Sequence, residues 1–222
     1  MSLFERESLV VAPGAFYVPS WLSLQEQERL LESCREWGRG PAGFHVPRMF
    51  DGKPLSIKSL YQGWYWRHGG GYTHVVDEAA GTLVKPFPAE LFELAHKAYA
   101  ETFGAADDFE PDSSIINWYD AEATLGMHQD RGETDAVIVR GSPVITVSLG
   151  DTGIFRFGNT ETRNKPYRDI ELQSGDLFVF GGPSRMAYHG VTRILPGTSP
   201  LALGLRGRLS ITIRESGLGR KP

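Results

Sequence analysis

The triplet His128-Gln129-Asp130 and, far downstream, His189 offer two imidazoles and one carboxylate to a metal. That is the ligand set of a mononuclear non-haem Fe(II) centre. Three protein groups cover one face of the ion and leave the other open to a co-substrate and dioxygen. Residues i and i+2 of a strand point to one face, so His128 and Asp130 can share an ion. His189 must then come from a strand remote in sequence and adjacent in space. The triplet alone also fits a hydrogen-bonded His–Asp pair beside an unrelated histidine.

A second segment, Arg208-Leu209-Ser210-Ile211-Thr212-Ile213-Arg214, alternates with period two and predicts a strand. Arg208, Ser210, Thr212 and Arg214 share one face, and Leu209, Ile211 and Ile213 share the other. Two arginines on one face of an apolar strand are costly to bury without an anion, unless the strand is an exposed edge. A guanidinium fork matches a carboxylate bidentately. A dicarboxylate that chelates iron at one end and meets an arginine at the other satisfies both segments, and 2-oxoglutarate is such a molecule.

Together with Ile116-Asn117-Trp118-Tyr119, Leu125 to Asp130, and Arg185-Met186-Ala187-Tyr188-His189-Gly190, these segments resemble the AlkB family of Fe(II)/2-oxoglutarate dioxygenases. Members of that family remove alkyl groups oxidatively from nucleic-acid bases. The resemblance runs from about Pro54 to Arg214, and the order and spacing of the segments are more specific than any one of them. It implies that His128, Asp130 and His189 hold iron and do the chemistry. Asn117 and Tyr119 would touch 2-oxoglutarate, Arg208 would pair with its distal carboxylate, and Arg214 would bond the end nearer the metal. Ser210 joins that pocket, although most members carry Asn there. The bacterial repair enzymes of the family have an acidic residue two positions after the metal Asp. Here Gly132 occupies that position and Glu133 follows, so Glu133 is the candidate to face the base.

The expected reaction is demethylation of 1-methyladenine and 3-methylcytosine in single- or double-stranded DNA, with RNA as a second substrate. It consumes dioxygen and 2-oxoglutarate and releases succinate, carbon dioxide and formaldehyde. The methyl group lies on the pairing edge, so the base must be flipped or already single-stranded. Two alternatives stand beside this reading: a hydroxylase of the same fold acting on a protein or small molecule, and a non-catalytic nucleic-acid-binding domain. The second has no use for buried iron ligands.

The 222 residues suffice for one sizeable core, and a single domain over 1–222 is expected. Hydrophobic content of 41% and charged content of 23% are those of a soluble globular protein. Apolar runs are far too short for a membrane span, and the N-terminus shows no secretory pattern. Cys34 is the one cysteine, which excludes an intrachain disulfide and fits a reducing cytoplasm. A monomer is expected. The net charge of −4 comes from an acidic excess in residues 1–110, while residues 111–222 are slightly basic. Phosphate contacts depend on local Lys and Arg, so the global sign does not exclude a nucleic acid.

The elements that must position these groups are legible in outline. Ser23–Trp37 predicts a helix, with Ser23 and Glu26 at capping-box spacing. Pro88–Phe103 predicts another. Short strands dominate from residue 113: Ser114–Tyr119, Val144–Leu149, Ile154–Phe157, Ile170–Leu172, Asp176–Phe180, Met186–His189 and Arg208–Arg214. The fold class is therefore mainly β with flanking helices. A double-stranded β-helix, or jelly roll, is expected over about 113–215.

Between the helices, Gly63-Trp64-Tyr65-Trp66-Arg67-His68-Gly69-Gly70-Gly71-Tyr72 mixes aromatics with glycines. Bases stack on aromatic faces. The resemblance makes residues 45–85 a nucleotide-recognition lid, in which Trp64 and Tyr72 contact the substrate. Core packing is the competing role for these rings, and Trp66 suits either. His68 and His74 lie outside the metal motif. Arg163 in Arg163-Asn164-Lys165-Pro166 is a candidate contact to phosphate or base, and Lys165 reads as a solvated turn residue.

Overall fold

Residues Arg208–Arg214 form an interior strand of the larger of two sheets, paired on both edges. In the computed structural model, which describes residues 8–49, 51–67, 71–104 and 108–219, strands and helices follow in this order. The first half carries β1 (Leu9–Ala12), β2 (Ala15–Val18), α1 (Leu24–Trp37), β3 (Lys58–Gln62), β4 (Tyr65–Arg67), β5 (Gly71–Thr73), β6 (Val75–Val76), β7 (Thr82–Leu83) and α2 (Ala89–Phe103). The second half carries β8 (Ser113–Tyr119), β9 (Leu125–His128), α3 (Asp135–Arg140), β10 (Val144–Gly150), β11 (Thr152–Gly158), β12 (Tyr167–Leu172), β13 (Leu177–Phe180), β14 (His189–Leu195) and β15 (Arg208–Arg214). His68, singled out in the sequence, lies outside the described residues.

Two antiparallel sheets form the jelly roll. The larger has the order β1-β2-β13-β10-β15-β8-β3 and the smaller β12-β11-β14-β9. Strand β15 runs between β10 and β8, pairing Ser210 with Ser148 on one side and with Asn117 on the other. Its apolar face, Leu209, Ile211 and Ile213, packs into one core with Leu30 and Leu31 of α1 and Leu91 and Ala95 of α2. Its polar face turns the other way, towards the smaller sheet. There a second core joins Phe155 and Phe157 of β11 to Phe178 and Phe180 of β13. The two helices thus close the outer side of the large sheet and leave the space between the sheets for the site.

Local chemistry explains the helix starts. The Ser23 hydroxyl accepts from the Glu26 amide at 3.3 Å, and the Glu26 carboxylate accepts from the Ser23 amide at 2.7 Å. Two of the orphan donors at the start of α1 are thereby met. Helix α2 begins directly after Pro88, whose missing N–H costs nothing at a helix start.

The structure differs from the sequence expectation at several places near the site and the sheet edge. The strand expected at Met186–His189 begins only at His189 and runs on to Leu195. Before it, Arg185 and Ala187 donate their amides to Gly182 and Ser184, so the chain is turning rather than extended. Strand β9 stops at His128, so Asp130 is placed by a loop and not by strand periodicity. Finally, a hairpin of β1 and β2 adds two strands to the large sheet through pairing of β2 with β13.

Replacing Ser23 by alanine removes half of the capping box. It should lower the stability of the folded chain by about 1 kcal/mol, read as an earlier midpoint in urea unfolding. An unmoved midpoint would show that tertiary packing alone holds the start of α1.

Candidate metal and co-substrate site

Strands β9 and β14 pair so that His128 stands directly opposite His189. The two imidazole centroids are 4.4 Å apart. The loop after β9 returns Asp130 between them, with its carboxylate oxygens 3.7 Å from His128 Nε2 and 3.9 Å from His189 Nε2. One ligand atom from each of the three residues lies within 4.8 Å of the others, the only such cluster among the described residues.

Each histidine is oriented by its own backbone. His128 Nδ1 lies 2.9 Å from the Gly126 carbonyl, and His189 Nδ1 lies 3.0 Å from the Ala187 carbonyl. A proton on each Nδ1 satisfies these contacts and leaves both Nε2 lone pairs directed at the shared point, the tautomer a metal requires. Burial, and then the neighbouring His128, pull His189 down to about 4. Burial alone would raise the Asp130 carboxyl. The Arg214 guanidinium and the two imidazoles outweigh it and hold the group well below the usual carboxylate range. Two imidazole Nε2 atoms and one anionic carboxylate thus converge on one point, and this donor set fits Fe(II).

Arg185 and Arg214 hold the Asp130 loop. Arg185 donates to the Asp130 carbonyl at 2.9 Å, and Arg214 reaches its carboxylate at 3.3 Å. Between the two arginines lies Glu133, 2.8 Å from Arg185 and 3.1 Å from Arg214, with its side chain fully buried. The Tyr72 hydroxyl adds a hydrogen bond to the same carboxylate at 3.1 Å. Glu133, the residue the sequence offered to the base, is not on the cavity wall. Its carboxylate is occupied by two guanidinium groups and a phenol.

A cavity of about 680 Å3 opens over the triad and receives Asn117, Tyr119, Ser210 and Arg214 on its wall. The Ser59 hydroxyl bonds the Asn117 carbonyl oxygen at 2.6 Å, which fixes which end of that amide is free. Burial raises the Tyr119 phenol to about 12, opposed by the Arg208 guanidinium and by Asn117. Arg208 is fully buried and sits 5.5 Å from the Tyr119 ring centroid. It does not itself line the cavity. Its Nη2 donates to Ser148 at 2.9 Å, while Nε and Nη1 find no partner among the described residues. A buried guanidinium with two orphaned donors and no carboxylate is destabilising until an anion arrives, so the residues fit a carboxylate-bearing co-substrate.

Ser148 and Gly153 were not picked out as site residues in the sequence. Ser148 is one of two hydroxyls, with Thr146, on the buried strand β10. A Cβ on Gly153 would stand 2.7 Å from Arg208 Nε, so only glycine leaves the guanidinium its place.

The lid divides differently from the sequence expectation. Trp64 is buried, stacks on His74 at 3.9 Å and donates to Asp112 at 3.2 Å. It does not reach the cavity wall, and neither does Tyr72, whose hydroxyl is held by Glu133. Trp66 does reach it, as does Arg163, whose guanidinium lies 5.9 Å from the Tyr188 ring centroid. Trp64 belongs to packing because the Asp112 carboxylate draws its indole N–H inward. Gln129, between the two first ligands, donates to the Thr160 and Met186 carbonyls and so ties the metal loop to the Arg163 loop.

Residues 14–214 match the family model described as the 2OG-Fe(II) oxygenase superfamily. A protein of Caulobacter vibrioides named alpha-ketoglutarate-dependent dioxygenase AlkB homolog is 36% identical over 211 residues, covering 94% of this chain and 90% of that protein. An Arabidopsis thaliana protein named DNA N(6)-methyladenine demethylase ALKBH1C is 33% identical over 227 residues, covering 93% of this chain and 49% of that protein. The chain thus spans about half the length of the Arabidopsis relatives it matches. The solved structure of OsALKBH1 superposes with a TM-score of 0.80 at 30% identity, covering 94% of this chain and all of that one.

Two substitutions test the site. Arg208→Lys should raise the 2-oxoglutarate concentration needed for half-maximal turnover by about ten-fold or more, because one ammonium cannot replace a fork of two N–H bonds. An unchanged value would put the co-substrate elsewhere. Glu133→Gln leaves two buried arginines under-compensated and should cost about 3–5 kcal/mol of stability. Equal urea midpoints for variant and wild type would show that Glu133 is not what holds the arginines.

Proposed function

The chain belongs to the 2OG-Fe(II) oxygenase superfamily and, within it, to the AlkB family, and on that premise we propose that it demethylates nucleic-acid bases oxidatively. The observation that carries this reading is the convergence of His128, Asp130 and His189 at the floor of a cavity whose wall also holds an aromatic ring, Trp66, and an exposed cation, Arg163. A hydroxylase of small molecules has no need of that pair, whereas a flipped base and its phosphate use both.

In this reading the two imidazoles and Asp130 hold Fe(II). Asn117, Tyr119, Ser210 and Arg214 line the co-substrate side of the cavity, and Arg208 answers the distal carboxylate of 2-oxoglutarate. When bound, iron and 2-oxoglutarate supply the oxidising power: dioxygen turns the N-methyl into an N-hydroxymethyl group that leaves as formaldehyde, with succinate and carbon dioxide as the other products. The protein's part is geometric. Pro47, Met49 and Leu55 give the cavity an apolar side, and Arg185 and Arg214 hold the loop that would present Asp130 to the metal.

Several narrower readings go with this. The whole chain acts as a single dioxygenase domain, with residues 45–85 as the lid and 113–215 as the core. The substrates are methylated DNA, single- or double-stranded, and methylated RNA. Ring-methylated adenine and cytosine follow from the family, and N(6)-methyladenine from the names of the Arabidopsis relatives. The protein works as a cytoplasmic monomer. No helix among the described residues is long and apolar enough to cross a membrane.

The test is to load the protein with Fe(II) and 2-oxoglutarate under anaerobic conditions and admit oxygen in the presence of methylated DNA or RNA oligonucleotides. Mass spectrometry should show loss of the methyl group, with matching succinate and formaldehyde. His189→Ala should abolish all three. Succinate release by that variant at the wild-type rate would overturn the iron assignment. Succinate without demethylation of any oligonucleotide would overturn the nucleic-acid reading.

A further inference from the structure

We propose that Gln129 is a positioning residue: it fixes where the substrate contact at Arg163 stands relative to the metal, so that oxidation of 2-oxoglutarate is spent on the methyl group. The inference rests on the nucleic-acid reading above and adds to it the side chain that joins the substrate loop to the iron site.

Gln129 is the one residue of the triplet whose side chain does not turn to the metal. Its Nε2 carries two hydrogens, and both are used. It donates to the Thr160 carbonyl at 3.0 Å and to the Met186 carbonyl at 2.5 Å. Thr160 belongs to the loop between β11 and β12, which carries Arg163. Met186 belongs to the turn before β14, one residue ahead of Ala187, whose carbonyl orients the His189 imidazole. One amide therefore joins three segments: the loop bearing Asp130, the turn that aims His189, and the loop bearing Arg163.

The Arg163 loop can hold a position because it is sewn together internally. Asn159 Oδ1 accepts the amides of Glu161 at 2.9 Å and Thr162 at 2.8 Å. Asn159 Nδ2 donates to the carbonyls of Asn164 at 3.1 Å and Pro166 at 3.3 Å. The Asn159 carbonyl accepts the Tyr188 amide at 2.9 Å, and the Tyr188 ring lies beside the Arg163 guanidinium. Among the described residues, no hydrogen bond other than that of Gln129 joins the metal loop to this loop. The metal ligands have supports of their own: the Gly126 and Ala187 carbonyls for the histidines, Arg185 and Arg214 for Asp130. Loss of the Gln129 amide therefore falls on the placement of Arg163, which lines the cavity with it. A misplacement of about 1 Å can cost about 100-fold in rate without touching the reacting groups.

The experiment counts formaldehyde and succinate released by the full chain, loaded with Fe(II) and 2-oxoglutarate, on a methylated single-stranded DNA. Ascorbate is present to re-reduce the iron after turnovers that miss the methyl group. Wild type should release the two products in equal amounts. Gln129→Met keeps the length of the side chain and removes both donors, and formaldehyde per succinate should fall about three-fold or more. General damage to the iron site lowers both products together and leaves their ratio alone. Arg163→Ala should lower the ratio too. Adding Gln129→Met to Arg163→Ala should lower it no further, because two residues that act through one contact are not additive. Gln129→Asn, whose amide stops one methylene short of the two carbonyls, should move the ratio the same way and serves if Gln129→Met does not fold. A wild-type ratio in a folded Gln129 variant, or a double variant whose loss is the product of the two single losses, would overturn the assignment while leaving the nucleic-acid reading in place. Succinate without formaldehyde from the wild-type protein on every methylated oligonucleotide would overturn both.

Discussion

Arg185, Glu133, Arg214 and Asp130 lie in a row of alternating guanidinium and carboxyl groups, largely buried beneath and beside the cavity, and the geometry of the site depends on them. Each carries a desolvation penalty of several kcal/mol if left alone. Alternating in sign, they offset one another. Asp130 is what makes the row useful. Its carboxylate faces the two imidazoles on one side and Arg214 on the other, so a loop residue is held as firmly as one on a strand. Arg185 contributes twice, through Glu133 and through the Asp130 carbonyl. The row also reaches the lid, because the Tyr72 hydroxyl bonds Glu133.

The sheets exist to bring these groups together. Strand β15 supplies Arg208, Ser210 and Arg214 to one side because its alternation commits Leu209, Ile211 and Ile213 to the helices on the other. Strands β9 and β14 bring His128 opposite His189 by register alone. A slip of one residue in either pairing would turn the functional face into the core. The aromatic packing of Phe155, Phe157, Phe178 and Phe180 between the sheets guards against such a slip.

Much of this was legible in the residues. The triplet, the distant histidine and the alternating arginine strand named the metal and co-substrate groups, and the capping box and Pro88 marked both long helices. What could not be read was direction. Nothing in Gly63-Trp64-Tyr65-Trp66 says which indole turns inward, because that depends on Asp112, far along the chain. Glu133 likewise carries no local sign of two arginines that arrive from β15 and from the turn before β14. The β1–β2 hairpin was readable and was missed: Pro13-Gly14 between two apolar runs is a turn signal. The helix α3 was missed because six residues are too few to show a period.

The N–H groups of Arg208 that meet no partner among the described residues have a consequence for the protein's persistence. An anion that docks on that guanidinium binds the folded chain and not the unfolded one. By mass action it shifts the folding equilibrium in proportion to the logarithm of its concentration. Proteolysis that proceeds through open states samples that same equilibrium. The amount of this protein in a cell would then follow the supply of the acid that fills the Arg208 pocket, and metabolic state would set the enzyme's abundance as well as its rate.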